Sequence, residues 1–217
     1  MGELATVKIR FTEPCLGTSP RNPKTYEDHI ASKITKRKGM SDEEREKIRA
    51  VEVAAAYGAI DAVEERGWTG FMRDDDGFYV YNYWVRGYLK SAFQSLQETG
   101  DFTKVPAYKT RIDRFIHVHP RKIHFLTDLE HLDVLERPLR AMTAQGPRVT
   151  VARSDYLPIG TEMEFTIERL KNKEITWDHL REAFEWGGYE GMGQWRSGGY
   201  GKFEVISFEV EGKKRAA

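Results

Sequence analysis

Hydrophobic and polar positions alternate cleanly at the start of the chain. Ala5, Val7, Ile9 and Phe11 fall on one parity and Thr6, Lys8, Arg10 and Thr12 on the other, which predicts a half-buried strand over 5–12. The same period of two returns over 161–169, with Met163, Phe165 and Ile167 facing inward and Glu162, Glu164, Thr166 and Glu168 outward. Residues 202–210 read as a closing strand. Residues 78–84 carry large side chains on both parities, so they read as a strand covered on both sides. Residues 114–126 read as a strand interrupted at Pro120.

Helical spacing appears elsewhere. Ile48, Val51, Ala55, Ile60 and Val63 follow a capping box made by Ser41 and Glu44, which predicts a helix over 42–66. Leu89, Phe93 and Leu96 form one stripe of a helix over 86–98, and Thr176 caps a further helix that runs to Trp186. The acidic stretch Arg73-Asp74-Asp75-Asp76-Gly77 reads as a turn. Residues 14–40, with Pro14, Gly17, Pro20, Pro23 and Gly39, read as a long irregular connection with room for a short helix near 24–33. Single helices interleaved with strands in this way favour an α+β fold with an antiparallel sheet.

Composition narrows the class. The chain has 217 residues, enough for one domain over 1–217 carrying two insertions. These are an irregular loop plus helix at 14–66 and a basic middle at 105–153. No uncharged apolar run approaches the ~20 residues of a membrane helix, and residues 1–11 lack the apolar centre of a signal peptide. The single cysteine, Cys15, rules out an intrachain disulfide and fits a reducing compartment, so the expected location is cytoplasmic.

Net charge is zero, with 34 Lys and Arg against 34 Asp and Glu, yet the charges are segregated. Residues 1–40 hold eight basic residues against four acids, and 41–66 hold four against eight. Arg137, Arg140, Arg148 and Arg153 occur in a stretch without any acid. A neutral chain arranged this way can still present a basic face.

Residues 187–201 contain seven glycines between a helix and a strand. A helix cap explains Gly187 and Gly188 but not the run from Gly191 and Gly193 to Gly198, Gly199 and Gly201, because each glycine costs entropy on folding. Within the run, Trp195 and Tyr200 are suited to stacking on bases, and Arg196 and Lys202 to meeting phosphates. The segment is not a P-loop, since Lys202 is followed by Phe203 and a strand, nor a dinucleotide fingerprint, since it closes a helix rather than opening one. His117 and His119 share one face of a strand, but with no cysteine or carboxylate at ligand spacing they read as a solvated face, and no metal or other cofactor is expected.

The loop ending Arg196-Ser197-Gly198-Gly199-Tyr200-Gly201-Lys202-Phe203 resembles the signature glycine loop of the RAMP superfamily, the ferredoxin-like subunits of CRISPR effector complexes. Two further stretches are similar to that family in the same order. One runs from the acidic turn at Arg73 into Val85-Arg86-Gly87-Tyr88-Leu89-Lys90. The other runs from Arg148 through Pro158-Ile159-Gly160-Thr161 into a strand.

The resemblance implies a ferredoxin-like, RRM-like antiparallel sheet with helices on one face and a long insertion. It also implies sequence-independent grip on an RNA backbone, and partners that are single-stranded RNA and copies of this chain or related subunits. Its contacts would be Gly87 and Lys90 at a helix start, Arg137, Arg140, Arg148 and Arg153 in the middle, and the loop from Gly191 to Lys202. Two other readings stay open. One is a stand-alone RAMP-fold protein of a phage or mobile element that works through protein contacts. The other is a metal-dependent ribonuclease using Asp28 or Asp61; no catalytic residue is assigned.

Overall fold

The structure is a computed structural model that describes residues 2–20, 41, 43, 47, 68–100, 102–143 and 146–211. The expected helix at 24–33 and, apart from Glu43 and Lys47, that at 42–66 lie outside the described residues, as do Asp28 and Asp61. In chain order the strands are β1 (Glu3–Phe11), β2 (Cys15–Leu16), β3 (Ser19–Pro20), β4 (Trp68–Gly70), β5 (Met72–Asp74), β6 (Gly77–Tyr81), β7 (Ile116–His119), β8 (Lys122–Leu126), β9 (Asp133–Thr143), β10 (Gly146–Leu157), β11 (Glu162–Arg169) and β12 (Phe203–Val210). The helices are α1 (Tyr83–Thr99), α2 (Tyr108–Phe115), α3 (Trp177–Glu185) and the one-turn α4 (Gly187–Glu190). They divide between two compact units.

Unit 1 comprises Met1–Cys15, Tyr79–Asp128 and Leu157–Ala217. Its strands run in the order β12-β1-β11-β8-β6, with β7 also on β11, and the neighbours pair antiparallel. With α1 between β1 and β7, and α3 between β11 and β12, the chain repeats β-α-β twice. The last strand lies beside the first, and the third lies between the first and second. That is the ferredoxin-like arrangement, an α+β fold with an antiparallel sheet.

The period of two in β1 places Ala5, Val7, Ile9 and Phe11 fully inside. Tyr88 of α1 packs edge-on against Phe203 of β12 at 5.0 Å, and Phe184 of α3 meets Phe165 at 5.7 Å and Phe208 at 6.2 Å. Both helices therefore cover the same apolar face of the sheet. Burying a phenylalanine of this kind stabilises by roughly 1.5–3 kcal/mol. Thr176 forms the expected cap, in reciprocal hydrogen bonds with His179. Arg169, at the end of β11, donates to the Ile175 carbonyl at 2.9 Å and to Glu3, which also accepts from Trp177 at 2.7 Å. Those hydrogen bonds, from Arg169 first, hold the Glu3 carboxyl below the ordinary carboxylate range.

Two expectations shift in unit 1, and the interruption foreseen at Pro120 is present. The strand foreseen over 78–84 ends at Tyr81, because Asn82 turns the chain. Its backbone N–H donates to the Arg121 carbonyl at 2.9 Å and its amide to the Val118 carbonyl at 2.7 Å, and α1 starts at Tyr83. Pro120 divides the expected strand into β7 and β8, which follow one another along β11. Residues 108–115 form α2, so the strand foreseen from 114 begins at Ile116.

Unit 2 comprises Leu16–Phe78 and Leu129–Tyr156. Its sheet has the order β2-β10-β4-β3 with β9 on β10. Gly17 crosses so close to Gly70 that an added Cβ would sit 2.3 Å from main chain, which only glycine permits. Trp68 donates to the buried Asp155 at 2.7 Å and Thr69 meets the buried Ser154 at 3.0 Å, fixing β4 on β10. Residues 105–128, foreseen as part of a middle insertion, belong to unit 1. Among the described residues no helix is long and apolar enough to cross a membrane.

Candidate nucleic-acid interface

The glycine segment of unit 1 is a folded loop. After α3 the chain continues through Trp186 into α4, passes the buried Met192, makes a 3₁₀ turn at Arg196–Gly198 and enters β12. Main-chain bonds close it: Met192 N–H to Gly201 O at 2.8 Å, and Gly201 N–H to Pro14 O at 2.9 Å. A Cβ on Gly201 would lie 1.7 Å from the Met192 oxygen, and its φ is +72°. Gly198 lies against the Trp195 ring, with an added Cβ 2.6 Å away, while Gly191 abuts the Gly201 main chain and Gly187 the Phe203 ring. Internal packing therefore requires most of the glycine run, which the sequence alone left unexplained. Open space adjoins the main chain at Gly188 and Gly199, and Gly193 turns at φ +90°.

The side chains of this loop divide by role. Trp195 is 44% exposed and stacks on Tyr200, with ring centres 5.1 Å apart and planes 18° apart, so Tyr200 occupies one side of the indole. Arg196 uses one nitrogen, Nη1, to reach Glu190 at 2.9 Å and Ser91 at 3.1 Å. Its Nε and Nη2 make no hydrogen bond among the described residues, and its side chain is 38% exposed. Lys202 makes no ion pair among the described residues, while its carbonyl accepts from Thr12 and Glu13. Tyr189 on α4 is 73% exposed and packs on Trp186 at 4.6 Å. Nearby, Cys15 is fully buried with its thiol directed at the Met192 carbonyl at 3.8 Å, and burial pushes its pKa up.

The α1 residues foreseen as contacts sit differently from each other. Gly87 is exposed, with nothing near the place of a Cβ. Lys90 pairs with Asp113 of α2 at 2.7 Å, so its charge is already engaged. Its neighbour Ser91 meets Arg196, which brings α1 and the glycine loop together.

The α1 start also gathers residues that the sequence reading passed over. The Arg121 guanidinium lies over Tyr81 at 5.2 Å, Tyr81 stacks on Tyr83 at 5.7 Å, and the Lys122 ammonium lies over Tyr79 at 4.6 Å. The first turn of α1 holds no acid, a setting favourable to an anion. The cross-strand pairing of Tyr81 with Lys122 was the missing link, and it is invisible without the register.

The four middle arginines belong to unit 2. Arg137 is buried in β9 opposite Ala152, and Arg153 pairs with Glu136 at 2.7 Å. The register sets Arg140 opposite Val149 and Arg148 opposite Ala141. His119 lies 3.4 Å from Glu168 on the strand face where it was expected.

No protein-family model matches the chain, and no curated protein matches it. Among solved structures, one described as the type III-B Cmr-beta bound to cognate target RNA contains a chain similar to this one. The TM-score is 0.47 and 11% of residues are identical. The match covers 96% of this chain and 60% of that one, so the present chain spans less than two thirds of its length.

Proposed function

We propose that this protein binds single-stranded RNA through its phosphates, without regard to sequence, as a RAMP-like subunit beside copies of itself or related subunits. The observation that carries the reading is the glycine loop. Among the described residues, Arg196 keeps one whole edge of its guanidinium unengaged and Lys202 lacks an ion pair, and open main chain lies at Gly188 and Gly199. A planar fork of donors suits a phosphate, and bare main chain lets a polynucleotide approach. The basic, aromatic start of α1 extends the surface, and the ferredoxin-like order of unit 1 agrees with the family that the loop resembles. Gly87, Lys90 and the four middle arginines remain proposed contacts of lesser weight, because Lys90 and Arg153 are already paired and Arg137 is buried.

Fluorescence anisotropy with a labelled oligouridylate at low and high salt tests this. Arg196→Ala combined with Lys202→Ala is expected to weaken binding and flatten the salt dependence by about 0.7 in log–log slope per lost contact. No binding by the wild type at low salt would sink the proposal.

A second reading, a protein that works through protein contacts, draws on the exposed apolar side chains Ile159, Tyr189 and Ile206. It predicts self-association or capture of a protein partner with no response to oligouridylate. The ribonuclease reading depends on Asp28 and Asp61; RNA cleavage with magnesium that survives Asp28→Ala and Asp61→Ala together would remove their roles.

A further inference from the structure

One carboxylate ties α4, α1 and the 3₁₀ turn together. Glu190, whose side chain is 14% exposed, accepts from Ser91 and Arg196 on Oε1 and from Ser95 on Oε2 at 2.7 Å. Ser91 and Ser95 stand one helical turn apart on α1, so they share a face and fix the carboxylate from one side. Arg196 then meets Glu190 through a single nitrogen at 2.9 Å. A two-pronged pair would have consumed the fork that recognises phosphate. This one-pronged pair orients the guanidinium and leaves Nε and Nη2 for a ligand.

We infer that Glu190 is a positioning residue for RNA, acting through Arg196 by holding its guanidinium with the unengaged edge outward. The inference rests on the RNA-binding reading and adds a residue to it. It also makes a counterintuitive demand. Judged by charge alone, removing an acid beside a phosphate site strengthens binding to a polyanion. Judged by positioning, removing Glu190 releases a long side chain and weakens it. The two accounts differ in sign.

The test is a double-mutant cycle on the full chain, with a labelled oligouridylate followed by anisotropy. Arg196→Ala is expected to weaken binding on the order of tenfold, the worth of a charge-assisted hydrogen bond. Glu190→Ala should cost a similar factor, and the double variant should be no weaker than Arg196→Ala alone. Glu190→Gln keeps an acceptor for Nη1 and should recover most of the affinity, a rescue that loss of structure would not give. Should Glu190→Ala melt early, Ser95→Ala replaces it in the cycle, with the same coupling to Arg196→Ala expected.

Tighter or unchanged binding by a folded Glu190→Ala variant overturns the inference, as do additive losses in the cycle. Wild-type binding with an additive cycle removes only the role of Glu190. Failure of the wild type to bind removes the RNA-binding reading and this role with it.

Discussion

Unit 1 carries cations in two settings that behave differently. On the polar face of its sheet, Lys8 and Arg10 of β1 reach Glu162 at 2.7 and 2.6 Å, and Arg10 also reaches Glu204 at 3.5 Å. Glu164, Glu168 and Glu209 stand along the same rows of β11 and β12. At the glycine loop, by contrast, Arg196 has one partnered nitrogen and Lys202 makes no ion pair among the described residues. Counting charges would treat the two settings alike. The acids that bring the chain to zero net charge include those that occupy the sheet's cations, so neutrality overall says little about the loop. Neither β1 nor β11 places an aromatic ring on the polar face, so the stacking platform typical of an RRM sheet is missing from these central strands.

The contrast can be strained at several points. The largest expected effect is on the framework beneath both settings. Phe184→Ala should cost about 3–5 kcal/mol in urea unfolding, because the ring joins α3 to β11 and β12. A loss under 1 kcal/mol would mean that the helix does not cover the sheet as described. Next comes the loop. Gly201→Ala should destabilise by about 1–3 kcal/mol from the left-handed φ alone, with the Met192 oxygen adding to it, and should reduce RNA binding as well.

A smaller effect is expected on the polar face. Lys8→Ala with Arg10→Ala should leave oligouridylate affinity nearly unchanged while Arg196→Ala lowers it, and a reversal of that ranking would move the interface onto the sheet. The smallest effect is acid sensitivity. Lys8 first, and Arg10 with it, hold the Glu162 carboxyl below its ordinary range by hydrogen bonding. Its contribution to stability is therefore present above the ordinary carboxylate range and fades as pH falls through the lowered value. The melting temperature should fall on acidification, and less so in Glu162→Gln.

Much of unit 1 was legible in the sequence because its signals are local. The alternation of β1 and β11 and the cap at Thr176 each depend on residues within a few positions of one another. The β9–β10 hairpin was not foreseen, since Pro138 and the interspersed arginines break any period, and Val134 and Val151 are exposed within it. The helix α2 buries only Ile112, too little for a stripe. In the candidate interface, the glycine run stood out in the sequence as needing positive φ and close backbone approach, but the partners of that approach were hidden. Which glycine meets which neighbour depends on the loop closing onto itself and onto Pro14. Glu190 and Ser91, 99 positions apart, have no common signature in the sequence.

The burial of Cys15 has a practical corollary. A thiol sealed in the interior and kept protonated by its surroundings reacts slowly with maleimides, so the native chain is a silent background for site-directed labelling. A cysteine introduced at the exposed position of Tyr189 would then accept a single dye, and its emission would report what approaches the loop in real time.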